Sequence, residues 1–214
     1  LNWIDFESNP YDTQFATLLS GLPVSEPAEV LIPTVSVPST SAPDPLAVHD
    51  PDLAEHLLEQ GNLYYNSGRK NDALESYTRA ITFSGNSPEG YLYRGMLRYE
   101  LGQADEALAD FDEAARRDAN RPLLYNNRGV VRLGRGEIAL ALADFEEASV
   151  LSPDYANALY NHALAYIRMH RWRLAEHFLT RAITSNDQVA EFYNMRGLCH
   201  AEQDRPDDAL ADYD

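Results

Sequence analysis

The sequence predicts an all-α fold in which five helix–turn–helix units stack on one another behind an extended N-terminal segment. The main observation is an internal period of 34 residues. One column of this period holds small residues, at Gly61, Gly95, Gly129, Ala163 and Gly197. A second column holds alanine, at Ala73, Ala107, Ala141, Ala175 and Ala209. A third is aromatic or leucine, at Tyr77, Phe111, Phe145, Leu179 and Tyr213. Since one helix pair cannot bury its own apolar face, successive pairs are expected to pack together.

Each unit contains two helical faces joined by a short turn. In the third unit, Tyr125, Gly129 and Arg132 have the spacing of one helix face. Glycines fall between the two helices of a unit, where a tight turn tolerates left-handed backbone, at Gly68, Gly102 and Gly136. Prolines fall between units, where a helix stops or restarts, at Pro88, Pro122 and Pro153.

This pattern resembles the tetratricopeptide repeat (TPR) family, most closely in the stretch ANALYNHALAY at residues 156–166. The resemblance covers residues 54–214 as units 54–87, 88–121, 122–155 and 156–189 and an incomplete unit 190–214. It implies a right-handed superhelix in which the first helix of each unit lines a concave groove. It implies no particular activity.

Arginine and aspartate occur together in three of the five units. The seventh position of a unit holds Arg94, Arg128 and Arg196, and the twenty-third position of the same units holds Asp110, Asp144 and Asp212. The other two units lack both residues. This co-occurrence predicts structural ion pairs between the two helices of a unit. An alternative is that the arginines bind an acidic partner, but the matching aspartates favour the structural interpretation.

The resemblance also implies which side chains face the groove. These candidate peptide-binding residues are Asn62, Tyr65, Tyr93, Tyr99, Asn126, Asn127, Tyr160, Asn161, Arg168 and Asn194. An asparagine amide both donates and accepts, so it can hold the backbone of an extended peptide. Asn127 and Asn161, one unit apart, resemble the asparagine pairs that some family members use in this way. The alternative is that these amides only cap helices or face solvent.

The charge of the groove suggests the kind of ligand. Some family members clamp a C-terminal carboxylate with basic residues, but here Leu58 and Leu123 occupy two of those positions. Glutamates predominate over Arg168 at the groove positions, at Glu55, Glu89, Glu100, Glu191 and Glu202. This excess favours a protein or peptide ligand with basic and apolar anchors.

Residues 1–52 have a different composition from the units. They contain eight acidic residues and neither lysine nor arginine, and residues 23–45 are rich in proline and serine, which predicts an extended segment. A short amphipathic helix is predicted near residues 11–20. Candidate apolar anchors are Trp3, Phe6, Tyr11, Phe15, Leu18 and Leu19. They predict either packing on the repeats of the same chain, near Arg168, Arg171 and Arg173, or docking on another chain, and both remain open.

The composition excludes several functional classes. A net charge of −17 argues against a nucleic-acid backbone or an anionic membrane as the main partner. No run of about 18 apolar residues predicts a membrane span. The single cysteine, Cys199, cannot form an internal disulfide, and no signal peptide is visible, so we expect a cytoplasmic protein. The sequence contains no catalytic motif and no cofactor motif. It predicts no metal site, since His170 and His177 have no further ligand at metal-binding spacing.

These observations predict a non-catalytic interaction scaffold or adaptor. It would bind an extended peptide in the groove and support assembly of a larger complex. One alternative is a self-associating scaffold whose N-terminal segment docks on the repeats. Another is the regulatory arm of a larger enzyme.

Overall fold

The computed structural model of the chain describes residues 49–84 and 87–214. Within these ranges the backbone forms ten α-helices and no strand. They are α1 (Pro51–Asn66), α2 (Lys70–Phe83), α3 (Glu89–Glu100), α4 (Ala104–Arg117), α5 (Pro122–Gly134), α6 (Ile138–Leu151), α7 (Ala156–Arg168), α8 (Trp172–Ser185), α9 (Ala190–Ala201) and α10 (Pro206–Tyr213). The helix predicted near residues 11–20 and the six candidate anchors of the N-terminal segment lie outside the described residues.

Consecutive helices pair into five repeats, from repeat 1 (α1 and α2) to repeat 5 (α9 and α10). The most extensive contacts join the two helices of one repeat, and each second helix also packs against the first helix of the next repeat. In addition, α5 contacts both α3 and α7, so these first helices form one layer. The expected all-α solenoid is therefore confirmed.

The first helix begins inside the segment that the sequence analysis assigned to the N-terminal region. Asp50 is its N-cap, and the Asp50 carboxylate accepts a hydrogen bond from the backbone N–H of Leu53 at 3.0 Å. Pro51 occupies the first helical turn, where its missing N–H costs nothing. These two local signals extend the helix to Pro51, ahead of the repeat pattern that starts at residue 54.

The turn inside each repeat has one residue with left-handed backbone. In repeats 1 to 3 this residue is glycine, with φ between 77° and 79°. In repeats 4 and 5 the same position holds His170 (φ 54°) and Asp204 (φ 57°). Left-handed backbone costs a residue with a Cβ atom about 1 kcal/mol more than glycine, so the last two turns are strained relative to the first three.

Each repeat is closed by contact between the small-residue column and the aromatic column. A Cβ atom built on Gly129 would lie 2.5 Å from the Phe145 ring, which is fully buried. Gly61, Gly95 and Gly197 meet Tyr77, Phe111 and Tyr213 in the same way. Repeat 4 instead combines Ala163 with Leu179, both buried. Ala163 is larger than the glycine of the other repeats, and Leu179 is smaller than their aromatic residue. The two size differences oppose each other, as expected for a close-packed core.

Candidate functional site

The predicted arginine–aspartate pairs connect the two helices of repeat 2. Arg94 donates from Nε and Nη2 to the two carboxylate oxygens of Asp110, at 2.9 and 2.7 Å. Arg98 donates to the same carboxylate from Nη1 at 2.7 Å. Asp110 is only 3% exposed, so two guanidinium groups from α3 surround one buried charge of α4. Bidentate geometry and low exposure make this the strong kind of ion pair.

Repeat 3 has the same arrangement and adds a link to its neighbour. Arg128 and Arg132 both reach Asp144 at 2.7 Å. Arg128 also donates from Nη1 to Asp112, on α4 of repeat 2, at 2.8 Å. Partial burial acts to lower the pKa of Arg128, but the hydrogen bonds and charge of Asp144 outweigh it, so the pKa lies above its ordinary value. These contacts hold Arg128 inside the solenoid.

Repeat 5 also pairs basic residues with an aspartate, but a histidine replaces the second arginine. Arg196 donates to Asp212 from Nε at 2.9 Å and from Nη2 at 2.5 Å. These hydrogen bonds raise the pKa of Arg196. His200 Nδ1 lies 3.4 Å from Asp212. We refer to the seventh, eleventh and twenty-third positions of these three repeats as the ion clusters: Arg94, Arg98 and Asp110; Arg128, Arg132 and Asp144; Arg196, His200 and Asp212.

The second basic residue of each cluster was not predicted, although the sequence contains a signal for it. The eleventh position of a unit is Arg98, Arg132 or His200 where aspartate is present, and it is Tyr64 or Tyr166 where aspartate is absent. The fourth position is tyrosine in the three units with aspartate, at Tyr91, Tyr125 and Tyr193. It is leucine in the two units without aspartate, at Leu57 and Leu159. Each of these three tyrosine rings lies 5.3–5.6 Å from the guanidinium carbon of its cluster arginine. The arginine is therefore held by a ring as well as by a carboxylate.

Repeat 4 fills the equivalent volume with three stacked rings. The ring centroid of His162 lies 3.9 Å from that of Phe178 and 5.2 Å from that of Tyr166. Burial, with a contribution from the charge of Arg181, lowers the pKa of His162 to about 4. Its Nδ1 is buried without a hydrogen-bond partner among the described residues. We call His162, Tyr166 and Phe178 the aromatic cluster, which is neutral at pH 7.

The groove asparagines are more deeply placed than the sequence analysis expected. Asn161 on α7 donates from Nδ2 to Oδ1 of Asn126 on α5 at 2.9 Å, and both residues are 3% exposed. Asn127 donates to the backbone carbonyl of Leu123 in its own helix at 2.9 Å. The structure therefore connects Asn161 with Asn126 rather than giving Asn127 and Asn161 matching contacts. Their contact with a peptide stays a prediction.

The other predicted groove residues differ in exposure. Asn62 accepts a hydrogen bond from the Tyr77 hydroxyl at 2.8 Å, which lies inside repeat 1. Tyr160 is 1% exposed, its ring packs against that of Phe192 in a tilted arrangement, and its hydroxyl donates to Glu191 at 3.3 Å. Half-buried side chains are Tyr65, Tyr93, Tyr99 and Arg168. Asn194 is exposed. Desolvation of Tyr93 and Tyr99 raises the pKa of both hydroxyls.

Two of the five groove glutamates already have basic partners. Glu100 pairs with Lys70, and Glu89 pairs with Arg121 and accepts from Ser87. Burial acts to raise the pKa of Glu89, but the hydrogen bonds from Ser87 and its own backbone and the charge of Arg121 lower it. The unpaired acidic charge at the predicted groove positions is therefore smaller than the sequence suggested. Glu55 forms no ion pair with the described residues.

The described ranges lack two other kinds of site. They contain no group of three or more His, Cys, Asp or Glu side chains placed to hold a metal ion. No helix in these ranges is long and apolar enough to cross a membrane. Cys199 is fully buried, and burial raises the pKa of its thiol to about 12, so the thiolate form that would react is suppressed.

Solved structures with the same fold belong to TPR proteins. MamA from Desulfovibrio magneticus is 20% identical with a TM-score of 0.67, and the match covers 76% of this chain and 92% of that one. PilF from Pseudomonas aeruginosa is 15% identical with a TM-score of 0.71, covering 76% and 74%. YrrB, described as a TPR protein with an unusual peptide-binding site, is 18% identical with a TM-score of 0.60, covering 74% and 82%. At these identities the likeness shows the fold alone. A comparison with curated proteins gave no match.

The sequence itself provides the family assignment. The family model of the tetratricopeptide repeat matches residues 58–122, 92–156 and 160–214, which together make up most of the chain. Repeats of this family serve as protein-interaction modules, and the helix pairs, turn residues and small–aromatic contacts described above have their form. The chain belongs to the tetratricopeptide repeat family.

Proposed function

We propose that the chain is a non-catalytic scaffold that binds an extended peptide along the layer of first helices and so supports assembly of a larger complex. The observation that supports this most is the Asn126–Asn161 hydrogen bond, which joins α5 to α7. That bond occupies one polar group of each amide. No hydrogen bond with the described residues occupies Nδ2 of Asn126 or Oδ1 of Asn161.

The remaining amide groups suit a peptide backbone. Asn126 keeps donors and Asn161 keeps an acceptor, and an extended peptide offers one carbonyl and one N–H per residue. Such contacts are independent of the peptide's side chains, so selectivity must come from neighbouring positions. Glu55 and Glu191 favour basic residues in the ligand, and the half-buried tyrosines Tyr93 and Tyr99 favour apolar ones.

The test begins with selection of peptides from a displayed random library on the full-length chain. Binding of a selected peptide is then measured by titration calorimetry for wild type and for the double variant Asn126→Ala/Asn161→Ala. We expect the double variant to bind at least about tenfold more weakly, because each lost hydrogen bond contributes about 1 kcal/mol. Asn71→Ala is the matched control, since this exposed amide lies on α2 outside the layer of first helices.

Removing buried amides can also weaken the fold, so a second variant keeps the test decisive. Glu191→Lys reverses a charge on the same layer, and we expect it to weaken binding of selected peptides that contain lysine or arginine. Circular dichroism establishes which variants fold. The proposal is wrong if no peptide is selected, or if the folded double variant and Glu191→Lys both bind as tightly as Asn71→Ala.

Two alternatives from the sequence stay predictions. Self-association through the N-terminal segment predicts a mass in solution above 24.0 kDa that falls when residues 1–48 are removed. A regulatory arm of an enzyme predicts that the repeats co-purify with a catalytic activity. A cytoplasmic location also stays a prediction, which cell fractionation tests.

A further inference from the structure

A cleft at the junction of repeats 4 and 5 has a charge opposite to that of the protein. It has a volume of about 780 Å³ and lies between α8 and the turn from α9 to α10. Its lining includes four charged side chains, Arg173, Glu176, Arg181 and Arg205, together with His177. We call this the basic cleft. It is separate from the asparagines of α5 and α7.

The positive charge of the cleft comes from two arginines of α8. Arg205 donates to both carboxylate oxygens of Glu176 at 2.8 and 3.0 Å, so these two charges compensate each other. Partial burial acts to raise the pKa of Glu176, but hydrogen bonds from Arg205 and Gln203 lower it, so Glu176 is ionised at pH 7. Arg173 is exposed and forms no ion pair with the described residues. The charge of Arg173 is therefore available to a ligand.

The second arginine is positioned without being neutralised. Arg181 donates from Nη2 to the backbone carbonyl of Pro153 at 3.2 Å, and its guanidinium carbon lies 5.6 Å from the Phe178 ring. Neither partner carries a charge. A guanidinium held in this way loses less side-chain entropy when it binds a carboxylate.

The other repeats do not share this surface. Arg173, His177 and Arg181 occupy the eighteenth, twenty-second and twenty-sixth positions of their unit. The same three positions read Asp105, Ala109 and Glu113 in repeat 2, and Ala139, Ala143 and Glu147 in repeat 3. Residues 156–189 contain four arginines against two carboxylates, whereas each of the other four units has a net negative charge. Repeat 1 has Asn71, Glu75 and Arg79 at these positions, so no other repeat carries two arginines on this helix face. The pair Arg173 and Arg181 is therefore not required by the repeat architecture.

We propose that the basic cleft is a docking site for a carboxylate-rich segment of a partner protein. Arginine recognises carboxylates through paired hydrogen bonds, and the cleft offers two arginine side chains on one helix face. The overall charge of −17 opposes the long polyphosphate of a nucleic acid or a continuous anionic membrane, which would meet acidic repeats on both sides. A short acidic peptide contacts the cleft alone.

The experiment uses the full-length chain and a fluorescent hexaglutamate peptide as probe, with anisotropy measured at low and at physiological salt. Wild type should bind saturably at low salt and more weakly at higher salt. Arg173→Glu should weaken binding at least about tenfold. The matched control is Arg79→Glu, an exposed arginine on α2 with the same change in net charge, and its affinity should stay within about twofold of wild type.

Three results would overturn the proposal. The first is that wild type shows no saturable binding at low salt. The second is that Arg173→Glu and Arg79→Glu weaken binding equally, which would mean that net charge alone matters. The third is that replacing the six carboxylates of residues 1–48 by their amides raises the affinity for the probe in the wild-type chain but not in Arg173→Glu, because the chain's own segment would then be the occupant of the cleft.

Discussion

Repeats 3 and 4 fill the same internal volume with opposite chemistry. In repeat 3, Arg128 and Arg132 surround the buried carboxylate of Asp144. In repeat 4, the equivalent positions hold His162, Tyr166 and Phe178, which stack as rings. In both repeats a first helix of 13 residues packs against a second helix of 14 residues. The fold therefore requires that this volume be filled, and it does not require charge.

The comparison also separates two roles of arginine. In the ion clusters the guanidinium groups are half-buried and paired, so they serve the architecture. In repeat 4 the aromatic cluster needs no cation, and Arg173 and Arg181 line the basic cleft instead.

The largest effect is expected from removing the carboxylate of an ion cluster. Asp144→Ala leaves Arg128 and Arg132 without their buried counter-charge, so the free energy of unfolding should fall by about 3–5 kcal/mol. Urea denaturation followed by circular dichroism measures it. Asp112→Ala is the control, because this carboxylate pairs with Arg128 but is 46% exposed, and its loss should cost less than about 1 kcal/mol. Equal losses would contradict the architectural role of the cluster.

The next effect concerns the small-residue column. Gly129→Ala places a methyl group 2.5 Å from the buried Phe145 ring, so we expect a loss of about 2–3 kcal/mol in the free energy of unfolding. Adding Phe145→Leu recreates the Ala163–Leu179 combination of repeat 4. The double variant should therefore lose less than the sum of the two single losses, as measured by denaturation. Additive losses would show that the two columns are not coupled.

The aromatic cluster predicts a pH dependence of the free energy of unfolding. The pKa of His162 is about 4 in the folded chain and near 6.5 when unfolded, so the unfolded chain binds the proton more readily. The stabilising contribution is complete above pH 6.5 and is lost as the pH falls towards 4. Between pH 7 and pH 5 the free energy of unfolding should fall by about 2 kcal/mol.

The variant His162→Phe isolates this contribution, since a second ring keeps the stack without a titrating group. Denaturation curves at pH 7 and pH 5 should show a smaller loss for the variant than for wild type, by about 2 kcal/mol. The same loss in both proteins would assign the pH dependence to other groups.

The smallest effect concerns the turns. His170→Gly removes a side chain from left-handed backbone and should raise the free energy of unfolding by about 0.5–1 kcal/mol. Gly136→Ala at the equivalent turn of repeat 3 should lower it by a similar amount. Thermal denaturation detects both shifts, and a stabilised Gly136→Ala variant would contradict the backbone explanation.

Much of the fold could be predicted from the sequence because equivalent positions of the five units can be compared with one another. The 34-residue columns predict the helix pairs, and the glycines predict the left-handed turns of repeats 1 to 3. His170 and Asp204 could not be predicted as turn residues from their own chemistry, since only the register places them there. The start of α1 at Pro51 could not be predicted from the 34-residue pattern either, because it depends on a local signal, the N-cap formed by Asp50.

The candidate sites were harder to predict. The joint variation of arginine and aspartate predicts contact, whereas the hydrogen bond between Asn126 and Asn161 depends on how α5 and α7 pack across the repeat boundary. The basic cleft depends in the same way on the turn of repeat 5, which brings Arg205 against Glu176. Spacing along one helix does not contain this information.

The central claim is that the ion cluster and the aromatic cluster are alternative fillings of one volume. The most direct measurement transfers the repeat 4 residues into repeat 3 through Tyr125→Leu, Arg128→His, Arg132→Tyr and Asp144→Phe together. Well-packed replacements of a buried ion cluster are often neutral, so we predict that this variant unfolds within about 2 kcal/mol of wild type. Asp144→Phe alone, which removes the buried counter-charge of both arginines, should lose more than about 3 kcal/mol. A fourfold variant as unstable as the single one would contradict the claim.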